Sequence, residues 1–202
     1  YEPITTLRIF DFDETIAHTR SETRVKAPDG SEATLRDQQE FEEYMNAAAA
    51  KEGIEAYDAV DALMELGYEI DLSDFSIVKD PDEIKVVTDI LRHFPENSKT
   101  YIMTARRGNS LGPIIDYLDE IEVDSSRVRL IATQGESKGD VMVAMMKNKI
   151  EYFEDSIKNI QDVLDKMGKS PKIKDIKPAE FKLVIKQVVR KGDTYIFNNI
   201  EC

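Results

Sequence analysis

Apolar and polar positions along this chain follow two rhythms, and their order predicts the architecture. Thr6–Phe10 is a short β-rich run. From Thr100 onward the pattern becomes regular. Thr100–Thr104 reads as a strand and Pro113–Leu118 as helix, with its proline at a permitted first-turn position. Val128–Thr133 reads as a strand, Lys138–Lys147 as helix and Ile150–Phe153 as a strand that ends on Glu154-Asp155. Ser156 is placed to cap a helix running to about Met167, with Gly168 as its stop. Strands alternating with helices imply an α/β fold with a mostly parallel sheet covered on both faces.

The first half is less regular. Val25–Leu35 contains Pro28-Asp29-Gly30, a turn signal between extended polar pieces, which predicts a small hairpin. Phe41, Tyr44, Met45 and Ala48 share one helical face, and Tyr57, Val60, Leu63 and Met64 share another. Both stripes read as core rather than as a binding surface. Ile84, Val87, Ile90, Leu91 and Phe94 mark a further amphipathic helix behind Asp80-Pro81. Phe181–Val189 and Thr194–Ile200, joined by Arg190–Asp193, read as a terminal hairpin or two edge strands.

At 202 residues, 41% hydrophobic and 33% charged, the chain suits one domain with an inserted subdomain. Its single cysteine, Cys202, gives it no internal disulfide and no cysteine-based zinc site, which fits a reducing compartment. No apolar run approaches the ~18 residues of a membrane span, and no apolar leader opens the sequence. A cytoplasmic location without membrane association is the expectation. The net charge is −13 and is unevenly spread. Residues Arg36–Glu83 carry 15 acids and 3 bases, whereas Lys166–Cys202 carry 9 bases and 4 acids. The acidic body repels phosphate backbones and disfavours nucleic acid as a partner. The basic end is the one place suited to a polyanion.

Ligands of an open parallel sheet bind beyond the carboxyl ends of its strands. Asp11 and Asp13, Thr104, Lys138 and Asp155 all stand at predicted strand ends or at a helix start on that edge. Together they supply what phosphoryl transfer requires. One carboxylate attacks phosphorus and a second serves as acid and then base. A hydroxyl and an ammonium bind phosphoryl oxygens, and a further acid holds a divalent metal. Mg²⁺ suits such a set because it prefers hard oxygen ligands.

These residues resemble the haloacid-dehalogenase (HAD) superfamily of phosphatases. Ile9-Phe10-Asp11-Phe12-Asp13-Glu14-Thr15 is similar to that family's first motif, an apolar strand followed by D-x-D-x-T. Tyr101-Ile102-Met103-Thr104-Ala105-Arg106 resembles the second, Lys138 the third, and Tyr152-Phe153-Glu154-Asp155 with Asn159 the fourth. The resemblance implies a Rossmann-like three-layer core with the Asp11 strand central, a flap hairpin and a small helical cap. It implies Asp11 as nucleophile, with its carboxylate on Mg²⁺, and Asp13 as general acid/base, with its backbone carbonyl on the metal. Thr104, with the adjacent Ala105, and Lys138 would bind phosphate. Asp155 would complete the metal site, supported by Glu154 and Asn159. The sequence also resembles HAD-like proteins common in phages, through Phe75–Pro81 and Asp155-Ser156-x-Lys158-Asn159; for a phage protein the compartment would be the host cytoplasm.

The expected division places the catalytic core in residues 1–20 and 76–165, the flap and acidic cap in 21–75, and a basic extension in 166–202. Arg106 and Arg107 are candidates for a second anionic group of the substrate, and His18 for substrate recognition. His93, at a helix end, has little claim on chemistry. The expected function is Mg²⁺-dependent hydrolysis of a small phosphorylated metabolite or nucleotide through an aspartyl-phosphate. The alternatives are a phosphatase acting on a nucleic-acid end such as a 3′-phosphate, and a binding module that keeps the fold without turnover.

Overall fold

A computed structural model describes residues 4–55, 59–145, 147–169 and 181–200. Tyr57, Cys202 and residues 170–180 of the basic extension lie outside the described residues. The main sheet has six strands: β1 (Thr6–Phe10), β7 (Ser98–Thr104), β8 (Val128–Ala132), β9 (Lys149–Glu154), β10 (Lys182–Lys191) and β11 (Thr194–Ile200). Their spatial order is β11-β10-β9-β1-β7-β8. Pairing is parallel throughout except for the terminal β10–β11 hairpin. The chain is therefore α/β with a mostly parallel sheet, and β1 lies inside it.

Period-two alternation sends the side chains of each strand to two separate cores. Leu7, Ile9, Met103, Ile150, Tyr152 and Ile185 point to one face, where Met142 of α5 (Lys138–Met145) and Ile160, Val163 and Met167 of α6 (Ile157–Lys169) cover them. Phe10, Ile102, Phe153 and Val188 point to the other, beneath Val87 and Leu91 of α3 (Lys85–Leu91) and Ile114 and Leu118 of α4 (Leu111–Glu120). Arg8 also faces this second core. It is almost fully buried and donates to the carbonyls of Ile90 and His93 at 2.6 and 2.7 Å, satisfying the end of α3. Ser156 accepts from the Asn159 amide at 3.3 Å, as its capping position predicts, but α6 runs through Gly168 to Lys169.

Between β1 and α3 the chain makes an excursion with its own core. β2 (Ala17–His18) and β6 (Asp82–Glu83) pair antiparallel where it leaves and returns. Beyond them, β3 (Thr23–Lys26) pairs with β4 (Glu32–Leu35) as the predicted hairpin. The hairpin does not stand alone: β5 (Glu69–Asp71) adds to β3, so the segment expected to be helical also holds a three-stranded sheet. Against it pack α1 (Gln38–Glu52) and α2 (Ala59–Glu65), burying Val25, Leu35, Met45, Ala48 and Leu63. Asp37 caps α1 through the Glu40 amide at 2.9 Å. Among the described residues, no helix is long and apolar enough to cross a membrane.

Candidate active site

Strand register sets the site. Phe10 is aligned with Phe153 on one side and Ile102 on the other, so the residues that follow emerge together at the carboxyl edge. The Asp11 amide donates to the Phe153 carbonyl at 2.9 Å, extending the ladder by one step. Beyond it the chain folds into a tight turn in which the Phe12 carbonyl accepts from the amides of Thr15, Ile16 and Ala17. Glu14 takes φ 60° in that turn.

Carboxylate oxygens of Asp11, Glu154 and Asp155 lie within 4.8 Å of one another. Lys138, at the start of α5, reaches the first two from the sheet face that α5 covers. Its Nζ donates to Asp11 Oδ1 at 2.7 Å and to Glu154 Oε2 at 2.9 Å. The Thr15 hydroxyl donates to Asp11 Oδ2 at 3.3 Å. Glu154 is fully buried and accepts from the Tyr152 hydroxyl, the Ser156 amide and the Asn159 amide side chain.

Three acids around one ammonium leave an excess of negative charge, and their titration reflects it. Burial, followed by the charge of Glu154, pushes Asp11 up to about 8 against the pull of Lys138. Burial and the charges of Asp11 and Glu154 push Asp155 well above the usual carboxylate range. Burial opposes ionisation of Glu154 too, but Lys138 and the hydrogen bonds from Asp11 and Tyr152 outweigh it and lower Glu154. Lys138 is pulled down by burial and raised further by Asp11 and Glu154, so it stays protonated. An all-oxygen cluster of two buried acids and the partly buried Asp155, in which Asp11 and Asp155 are raised by burial and by charge that Lys138 balances only in part, fits a hard divalent cation such as Mg²⁺.

Asp13 stands apart from that cluster. Both of its oxygens accept from Arg106, Nε to Oδ2 at 2.9 Å and Nη2 to Oδ1 at 2.7 Å. Arg106 also donates through Nη1 to the carbonyls of Phe75 and Ile77 at 3.1 and 2.7 Å, and through Nη2 to the Thr19 hydroxyl at 3.3 Å. The guanidinium lies over the rings of Phe12 and Phe75, at 5.3 and 5.1 Å from their centroids. All five of its N–H groups are directed to protein acceptors. This differs from the expectation that Arg106 meets a second anion of the substrate: burial and saturation turn it inward.

Above these acids lies a cavity of about 490 Å³. Asp11, Asp13, Glu154, Asp155, Asn159, Ala105, Arg106 and Arg107, with Asn109, Gln134 and Gly135, form its core side, and residues of the excursion form the rest. Thr104 is fully buried beside the floor and its hydroxyl accepts from the Arg106 amide at 3.1 Å. Lys138 is reached instead from a smaller cavity of about 150 Å³ next to Ala105 and Thr133. His18 is not among the residues lining the large cavity; it pairs with Glu14, which Tyr195 also contacts at 3.4 Å. Asp11, Asp13, Ala105, Arg107, Asp155 and Asn159 thus come together as anticipated, and His18 lies elsewhere.

Some residues contribute otherwise than the sequence suggests. Glu154 is central rather than merely supporting. Period-two alternation carries the signal, because residues 150, 152 and 154 share the face of residues 7, 9 and 11. Of the stripes read as core, Met45, Ala48 and Leu63 are buried, Phe41 and Val60 pack against them and also border the cavity, and the exposed Met64 lines the cavity.

No protein-family model matches this chain, and none of the curated proteins matches it. Among solved structures, the chain is similar to the Legionella pneumophila effector Ceg4, crystallised with an N-terminal yeast Hog1p sequence. That similarity has 11% identity and a TM-score of 0.41, over 91% of this chain and 87% of that one. A likeness this slight does not establish a shared fold.

Proposed function

We propose that this protein is a Mg²⁺-dependent phosphomonoester hydrolase of the HAD type. In this reading the core is Rossmann-like and three-layered, residues 21–75 form a cap, and β10 and β11 of the basic extension complete the sheet edge. The observation that carries it is the grouping of Asp11, Glu154 and Asp155 within 4.8 Å, with Lys138 2.7 Å from Asp11, beneath the cavity.

An Asp11 carboxylate oxygen attacks the phosphorus of the bound monoester. The ester P–O bond breaks, and the departing alcohol takes a proton from Asp13. Water then attacks the aspartyl-phosphate while Asp13 accepts its proton, releasing inorganic phosphate and restoring Asp11. Arg106 fixes the orientation of Asp13 in both steps. Lys138 balances charge around the nucleophile and Thr104 shapes the phosphate end. Asp11, Asp155 and Glu154 would hold Mg²⁺, with the backbone carbonyl of Asp13 as a further oxygen donor. When bound, the ion neutralises phosphate charge that would otherwise repel the nucleophile.

The test is release of phosphate from p-nitrophenyl phosphate with and without Mg²⁺. Turnover that needs the metal and vanishes in Asp11→Asn is the expected result. No release by the wild-type protein with Mg²⁺, or undiminished release by Asp11→Asn, would defeat the proposal.

A further inference from the structure

The cavity is far larger than a phosphoryl group needs. At about 490 Å³ it falls within the range of sites that enclose a whole small molecule. Its upper wall holds an apolar patch of Phe41, Val60, Met64, Ile70, Leu72 and Phe75, interspersed with the polar Gln38, Ser73 and Ser76. None of the six is fully buried, and Met64 is 44% exposed. The rings of Phe41 and Phe75 meet at 6.1 Å between centroids and 51° between planes, forming a corner that an aromatic or branched aliphatic group would fill. Apolar surface held open toward a polar floor is surface for a ligand to cover.

Charge sharpens the choice. The wall carries Glu42 and Asp61 in addition to the acids of the floor. Of its two arginines, Arg106 is turned inward with every N–H engaged, which leaves the exposed Arg107 facing those carboxylates. A second phosphate, or a nucleic-acid backbone, would find one cation and several like charges. A compound with one phosphate and an apolar remainder meets complementary surfaces at both ends.

We infer that the substrate is a monophosphate ester of an apolar, ring-bearing alcohol with no second anionic group. The apolar wall of the excursion binds the organic part and the carboxylate floor receives the phosphate. The inference rests on reading the Asp11 site as a phosphoryl centre.

The experiment compares 2-phenylethyl phosphate with ethyl phosphate, two alkyl esters whose scissile bonds are alike. Burying the added ring predicts kcat/KM about 10- to 100-fold higher for the phenylethyl ester. ADP and a 3′-phosphorylated oligonucleotide should be turned over more slowly than the phenylethyl ester. Met64→Ser, at an exposed position of that wall, should reduce the ratio of phenylethyl to ethyl kcat/KM severalfold. Equal kcat/KM for the two esters, or faster turnover of ADP or the oligonucleotide, overturns the inference while the phosphatase reading stands. Binding is measured in parallel by calorimetry with 2-phenylethylphosphonate and ethylphosphonate in the presence of Mg²⁺. If no ester is hydrolysed, the phosphatase reading fails, and the inference is then judged on the phosphonates alone. An affinity ratio of about 10 or more supports the apolar wall, and a ratio near one, or no binding, overturns it.

Discussion

Arg106 grips Asp13 with a two-point fork while the rest of its guanidinium holds the backbone of residues 75 and 77. The proposed acid/base is therefore fastened to the segment by which the chain returns from its excursion. Arg106→Lys keeps the charge and loses the fork. For a residue that orients Asp13, kcat on p-nitrophenyl phosphate should fall about 100-fold with KM little changed. Steady-state kinetics decides: a raised KM at constant kcat would instead make Arg106 a substrate-binding group.

Asp11→Asn should abolish turnover without harming the fold. The carboxylate it replaces is buried beside two others and is raised to about 8, so at pH 9, where it is ionised, removing its charge relieves repulsion. Thermal unfolding at that pH without divalent metal should give a melting temperature equal to or above that of the wild type. Beryllium fluoride, a phosphoryl mimic, should protect the wild type with Mg²⁺ from unfolding and leave Asp11→Asn unaffected.

Stability without divalent metal should depend on pH in a defined direction. Asp11 has its folded-state value raised to about 8, and Asp155 is raised in the same direction. An unfolded aspartate titrates near ~3.9. A group raised on folding contributes stability that is fully present below the unfolded value and is lost as pH rises through the folded one. The metal-free protein should therefore lose stability between about pH 4 and pH 8. Denaturant titration in EDTA at pH 6 and pH 9 checks the sign. Added Mg²⁺ should restore stability most at the higher pH, where the carboxylates bind it without losing protons.

Gly139 of α5 sits close against α6. A Cβ there would lie 2.8 Å from the Asp162 carbonyl oxygen and 2.8 Å from Lys166 Cβ. Gly139→Ala must push the helices apart and should cost about 1–3 kcal/mol. Because Lys138 is the next residue, the displacement should also weaken its hold on Asp11. Denaturant unfolding and kcat, measured on the same variant, should both fall.

The part of the fold that positions the acids was legible because it rests on local rules. Short β-rich runs mark β1, β7 and β9, Ser156 marks the start of α6, and Pro113 falls in the first turn of α4. Those rules place Asp11, Asp155 and Lys138 on one edge from the sequence alone. What could not be read depends on pairing between distant segments. β5 is three residues long and exists through its partner β3, so no run in the sequence announces it. The inward turn of Arg106 depends on acceptors at residues 13, 19, 75 and 77 converging around it. Phe41 and Met64 lie on the same helical stripes as core residues, and periodicity alone cannot distinguish a side chain packed against protein from one that borders a cavity.

The excursion leaves and re-enters through one narrow neck. There Ala17 and His18 pair with Glu83 and Asp82, and Arg20 donates to the Asp80 carbonyl and to Asp82 at 2.6 and 2.7 Å. None of the strands bearing Asp11, Thr104 or Glu154 runs through that neck. A graft of foreign sequence between residues 20 and 73, which keeps the Phe75 and Ile77 carbonyls on Arg106, would therefore change the guest admitted without disturbing the chemistry beneath, and makes this junction the natural place to retarget the molecule.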